Sequence, residues 1–123
     1  MQAIELRGVH DALLDMVRRI PTLGVSSHQG RIHLRRTEQA LEEWLDLEDA
    51  NQECYFRKKP ASALEGHAEK EEICRRLATI SDEAEIYFEY CILGDESALS
   101  GKRFVSFYQL LEETCRWEEE SLI

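Results

Sequence analysis

Apolar residues recur at three- and four-residue steps along much of this chain, the spacing that places side chains on one face of an α-helix. The first such series comprises Val9, Leu13, Met16, Val17 and Ile20. Pro21 follows directly, and proline cannot donate a hydrogen bond to the helix ladder. We therefore predict an amphipathic helix that ends at Pro21, followed by a loop over residues 21–30, where glycine and serine are frequent.

A second helix is predicted from Thr37 to about Asn51. Thr37 has the hydroxyl group of a suitable N-cap residue, and Glu38 places an acid where the helix dipole favours one. Its predicted apolar positions are Ala40, Leu41, Trp44, Leu45 and Leu47. An acidic stripe on the other side is formed by Glu38, Glu42, Asp46 and Asp49. Residues 31–36 alternate in character and fit either a short strand or the beginning of this helix.

The clearest pattern lies in the second half of the chain. It is formed by Ile73, Leu77, Ile80, Ala84, Phe88 and Cys91. These steps predict a helix, either continuous or interrupted near Ser81, although residues 85–93 also alternate as a strand would. A last helix is predicted from near Arg103, with a frayed tail from Glu118. Its predicted buried positions are Phe104, Phe107, Tyr108, Leu111 and Cys115.

The fold class predicted from these elements is all-α, a single compact domain of four to five helices over residues 1–123. Its predicted centre comprises Trp44, Phe88, Phe104, Phe107 and Leu111. The alternative is an α+β fold with short strands near 31–36, 53–58 and 85–93. A chain of 123 residues is long enough to bury a core without a metal ion or a disulfide.

Charge is distributed very unevenly. The chain carries a net charge of -10, yet residues 1–37 sum to +3, with six arginines against three acids, so residues 38–123 sum to -13. Residues 38–56 contain seven acids and neither lysine nor arginine. This balance argues against a nucleic-acid ligand and favours a partner protein with a basic surface. The predicted partner-binding residues are Glu38, Glu42, Glu43, Asp46, Asp49 and Glu53. Pairing between the basic and acidic parts of two copies would give a homodimer.

Cysteine and histidine spacing predicts neither a metal site nor a cofactor. The four cysteines form no Cys-x-x-Cys pair, and the four histidines form no His-x-x-x-His or Glu-x-x-His motif. We expect free, buried thiols and surface or loop histidines. No apolar run approaches the roughly 20 residues of a membrane span, and the first residues do not resemble a signal peptide. The predicted location is therefore the cytoplasm.

The favoured function is that of a small acidic regulatory or inhibitory protein that binds a basic surface, without catalytic residues. A nucleic-acid mimic that blocks a DNA- or RNA-binding enzyme is the first alternative. The second rests on Glu42-Glu43-x-x-Asp46 and Glu69-x-x-Glu72, which resemble the carboxylate sets of all-α nucleotide pyrophosphohydrolases. That resemblance implies a Mg²⁺ ion held by these carboxylates and by substrate phosphates.

Overall fold

The computed structural model describes residues 3–54, 68–94 and 101–121, with side chains for 4–54, 71–94 and 101–120. Four helices account for most of them: α1 (Ala3–Leu23), α2 (His28–Asn51), α3 (Ala68–Ile92) and α4 (Lys102–Ser121). The all-α prediction is confirmed, because these ranges contain no strand. Of the alternative strands, residues 31–36 lie inside α2 and residues 85–92 lie inside α3. Residues 55–58 of the alternative strand near 53–58 lie outside the described residues.

The helices form an antiparallel four-helix bundle in which each packs against its neighbours in sequence and α1 packs against α4. Contacts fix the directions: His10 near the start of α1 meets Trp44 in α2, and Arg116 in α4 meets Asp11. The start of α1, the end of α2, the start of α3 and the end of α4 therefore lie together. We call this the disulfide end, because Cys54 and Cys74 are joined there.

The junction between α1 and α2 is shorter than the sequence predicts. Helix α1 continues two residues beyond Pro21, so the expected ten-residue loop is reduced to residues 24–27. Gly24 adopts a φ of 70°, and its N–H donates to the Ile20 carbonyl at 2.9 Å, as expected for a helix C-terminus. Ser27 caps α2 by accepting a hydrogen bond from the Gly30 N–H at 3.0 Å.

Thr37 is therefore not an N-cap. It is buried in the middle of α2, and its hydroxyl donates to the His33 carbonyl at 2.8 Å. The prediction was wrong because the strongest capping signal, Ser27, lies in a segment whose glycines and serines are typical of a loop.

The core follows the predicted helix faces, except that Val9 of α1 and Leu47 of α2 are 47% and 62% exposed. All six positions of the α3 series are buried, and α3 passes through Ser81 without interruption. Tyr87 is the centre of an aromatic cluster, with ring centroids of Phe88, Phe104 and Phe107 at 5.7, 5.5 and 5.6 Å. Trp44 and Leu111 are buried as predicted, whereas Phe104 is only partly buried against the core.

The expectation of four free thiols was wrong for two of them. Cys54 follows the end of α2 and Cys74 lies early in α3, and the antiparallel packing brings their Cα atoms to 5.4 Å, where they form a disulfide. Cys91 and Cys115 are free and buried, as predicted.

Candidate functional site

A groove lies between α2 and α3, away from the disulfide end. It contains two adjoining cavities of about 590 Å³ and about 540 Å³, which share Glu38, Glu42 and Ile92 as lining residues. The apolar lining of the groove is completed by Val25, Leu34, Leu41, Ala84, Phe88, Cys91 and Leu93. Ile92 and Leu93 are 68% and 75% exposed, so two large apolar side chains face solvent side by side.

Carboxylates surround this apolar surface. Glu38 and Glu42 of α2 and Glu85 and Glu89 of α3 line the second cavity from both sides. Arg31 and Arg35 lie at the other end of the groove, where Arg31 donates a hydrogen bond to the Ser26 carbonyl at 3.0 Å. The groove therefore combines an apolar floor with a rim that is acidic over most of its length.

Only part of the predicted acidic surface lies at the groove. Glu38 and Glu42 line it, whereas Glu43, Asp46 and Glu53 are exposed without lining either cavity. Asp49 is only 6% exposed, so this residue does not belong to an exposed stripe.

Sequence reasoning missed the contribution of α3. Glu85 and Glu89 are one helical turn apart, and this spacing places them on one face beside the exposed end of the helix. Of the predicted hydrolase set, Glu72 forms ion pairs with Arg75 and Arg76 at 3.1 and 3.0 Å, and the side chain of Glu69 lies outside the described residues. The groove uses Glu42 from that set, but not Glu72.

A second polar cluster is buried inside the bundle at the disulfide end. The His10 side chain of α1 is fully buried, meets the Trp44 ring edge-on at 5.7 Å, and places Nδ1 2.8 Å from Glu119 Oε2. Arg116 donates to both carboxylate oxygens of Glu119 at 2.9 Å and to Asp11 at 2.6 Å. This hydrogen bond from Arg116 lowers the pKa of Asp11.

Two further carboxyl groups enter the cluster, Glu48 from α2 and Glu118 from α4. One ligand atom each of His10, Glu48 and Glu118 lies within 4.8 Å of the others. Burial, together with the hydrogen bond and the charge of Glu48, raises the pKa of Glu118 to about 9. Within the described residues, His10 Nε2 and one oxygen each of Glu48 and Glu118 are buried without a hydrogen-bond partner. Each such atom typically costs about 1–3 kcal/mol.

This cluster corrects two predictions. His10 is not a surface or loop residue, and the end of α4 is not frayed, since Glu119 is buried and helical. The sequence did contain a signal for His10, which continues the buried face of α1 formed by Leu6, Leu13, Val17 and Ile20. A titratable residue within an apolar stripe must find a polar partner in the core.

Comparisons of the chain with protein families, with curated proteins and with solved structures found no match. Within residues 3–54, 68–94 and 101–121, no helix is both long and apolar enough to cross a membrane.

Proposed function

We propose that this chain is a regulatory protein-binding module whose α2–α3 groove receives a basic amphipathic helix of a partner protein. The observation that carries the proposal is the exposed pair Ile92 and Leu93 beside two cavities that share Glu38 and Glu42, the second of which is also lined by Glu85 and Glu89. An apolar groove between two helices can accept the apolar stripe of a third helix.

Apolar burial and charge would contribute differently to this binding. Fully burying a large aliphatic side chain contributes about 1.5–3 kcal/mol, so Ile92 and Leu93 would supply much of the affinity. Exposed ion pairs contribute only about 0–1 kcal/mol each. The carboxylates would therefore mainly select a basic partner and speed its association.

The proposed setting remains the cytoplasm, where disulfides are rare and thiols are kept reduced. The Cys54–Cys74 bond lies away from the groove, so the proposed binding requires neither its oxidised nor its reduced form.

The first prediction concerns the charge of the partner. Two peptides that share one leucine stripe are compared, with lysine on the polar face of one and glutamate on that of the other. We expect only the lysine peptide to bind, with NMR amide shifts centred on Glu38, Glu85 and Ile92. Its affinity should fall as salt is raised, because exposed charges are screened beyond about 10 Å at 0.1 M.

Variants separate the groove from the overall acidity of the chain. Glu85→Lys with Glu89→Lys should weaken peptide binding by about tenfold or more, equivalent to about 1.4 kcal/mol. Glu43→Lys with Glu120→Lys makes the same charge change at exposed positions outside both cavities. Ile92→Ser removes an apolar contact without changing charge and should also weaken binding.

Equal losses in the two charge-reversal variants would contradict the proposal, as would an affinity unchanged by Ile92→Ser. Sedimentation velocity tests whether a second copy of the chain binds in the groove instead. A concentration-dependent dimer that is lost in Ile92→Ser would assign the groove to self-association instead of a basic partner.

A further inference from the structure

The buried cluster at the disulfide end has the composition and arrangement of a metal site. Its three converging side chains come from three different helices: His10 from α1, Glu48 from α2 and Glu118 from α4. The His10 side chain is 0% exposed, and its Nε2 has no hydrogen-bond partner within the described residues. This buried, unpartnered nitrogen distinguishes the cluster from an ordinary group of acids.

The hydrogen bond on the other ring nitrogen prepares His10 to act as a ligand. Nδ1 lies 2.8 Å from Glu119 Oε2, and an Nδ1–H that donates to this carboxylate leaves a lone pair on Nε2. Metal-ligating histidines commonly donate their second ring N–H to a carboxylate in this way. Arg116 in turn holds both oxygens of Glu119 at 2.9 Å, which orients the supporting carboxylate.

The separation of the candidate donors is close to that of a coordination sphere. Ligand atoms that bind one ion at about 2.0–2.2 Å lie roughly 3–3.5 Å apart. The donor atoms of His10, Glu48 and Glu118 lie within 4.8 Å of one another, so small side-chain adjustments would close them around an ion. Bundle cores are a common location for metal sites built from facing helices.

The donor types select the class of ion. One imidazole nitrogen with two carboxylates suits divalent transition-metal ions, from the borderline Zn²⁺ to the harder Mn²⁺, whereas Mg²⁺ and Ca²⁺ prefer oxygen ligands alone. Binding of the ion would release the proton of Glu118, and the two carboxylates of Glu48 and Glu118 would then balance its charge. We propose that His10, Glu48 and Glu118 bind one divalent transition-metal ion, with Glu119 as the supporting carboxylate, and that this ion ties α1, α2 and α4 together.

The second prediction is tested with the full chain after treatment with a chelator. Isothermal titration with Zn²⁺, Mn²⁺ or Mg²⁺, together with elemental analysis after gel filtration, measures affinity and stoichiometry. We expect one equivalent of Zn²⁺ or Mn²⁺ to bind and to raise the melting temperature, because an ion that binds only the folded chain stabilises it. Mg²⁺ should bind much more weakly.

Substitutions identify the ligands. Glu118→Gln keeps the side-chain shape and should weaken metal binding by more than about 100-fold, whereas Glu119→Gln, at a supporting position, should weaken it by about 10–100-fold. Glu120→Gln is the matched control, since this neighbouring acid is exposed. Circular dichroism of each variant verifies folding. If Glu118→Gln does not fold, His10→Gln serves as the second ligand variant.

Cobalt provides a readout that does not depend on any variant. Co²⁺ in the wild-type chain should give ligand-field absorption without a thiolate charge-transfer band. The absence of that band would exclude Cys91 and Cys115 as ligands. Failure to bind any of these ions, a thiolate band, or undiminished affinity in the ligand variants would each overturn the proposal. None of these outcomes bears on the α2–α3 groove, which uses none of these residues.

Discussion

The two free thiols illustrate how burial controls chemistry at a single residue. Burial raises the pKa of Cys91 to about 11, against a smaller opposite effect of the Tyr87 hydroxyl, and burial also raises the pKa of Cys115 well above its usual range. The thiolate is the reactive species, so a raised pKa leaves little of it at neutral pH. Cys91 lines the groove without being a nucleophile there.

The third prediction is that neither thiol reacts quickly in the folded chain. Without reductant, a chromogenic thiol reagent should find no fast-reacting group in the native state and two groups after denaturation. Because the pKa of Cys91 is raised, its labelling should stay slow through pH 9 and accelerate only as the pH approaches 11. Four thiols in the denatured, unreduced chain would contradict the Cys54–Cys74 bond.

At the scale of elements, the periodic pattern predicted which face of a helix is buried, because this property depends on one helix alone. The α3 series from Ile73 to Cys91 is buried as predicted, because side chains three and four residues apart share a face whatever the partner. The junction of α1 and α2 was not predictable in the same way. Pro21 and the following glycines and serines are typical of a loop, yet the chain uses Gly24 and Ser27 as helix caps.

The fourth prediction concerns the tight contact at this junction. A methyl group on Gly30 would overlap the Gly24 carbonyl oxygen and lie 3.1 Å from the Leu23 carbonyl oxygen. Gly30→Ala should therefore lower the free energy of unfolding in urea by about 1–3 kcal/mol, the usual cost of overpacking. Gly8→Ala is the matched control, because a methyl group there meets no atom within 4 Å.

The control should change stability in the opposite direction. Gly8 is an exposed residue within α1, and inside a helix alanine is favoured over glycine by about 0.5–1 kcal/mol. A Gly30→Ala variant as stable as the wild type would show that the two helix ends can separate without loss, and that the close approach is not required.

At the scale of the whole molecule, the sites depend on which helix ends lie together. The periodic pattern within each helix does not predict that arrangement. His10 and Glu119 are 109 residues apart, and only the antiparallel packing of α1 against α4 brings them together. The groove likewise needs Glu38 of α2 beside Glu89 of α3. Glu38 and Glu42 were predicted because their helix face is acidic. Glu85 and Glu89 of α3, which line the same cavity, were not predicted.

The last prediction concerns the covalent link between two of these helix ends. Cys54 and Cys74 are 20 residues apart, and closing a chain segment of that size typically stabilises a fold by about 2–4 kcal/mol, chiefly by restricting the unfolded chain. Reductant should therefore lower the free energy of unfolding of the wild type by about that amount. It should also steepen the dependence of the free energy of unfolding on urea concentration, because the unfolded chain then exposes more surface.

The measurement is made with chelator present so that metal binding at the same end does not contribute. The Cys54→Ala, Cys74→Ala double variant is the control, and its unfolding should not respond to reductant. If the stability of the wild type were equally insensitive, the bond would contribute nothing, and the packing of α2 against α3 would have to hold the disulfide end together unaided.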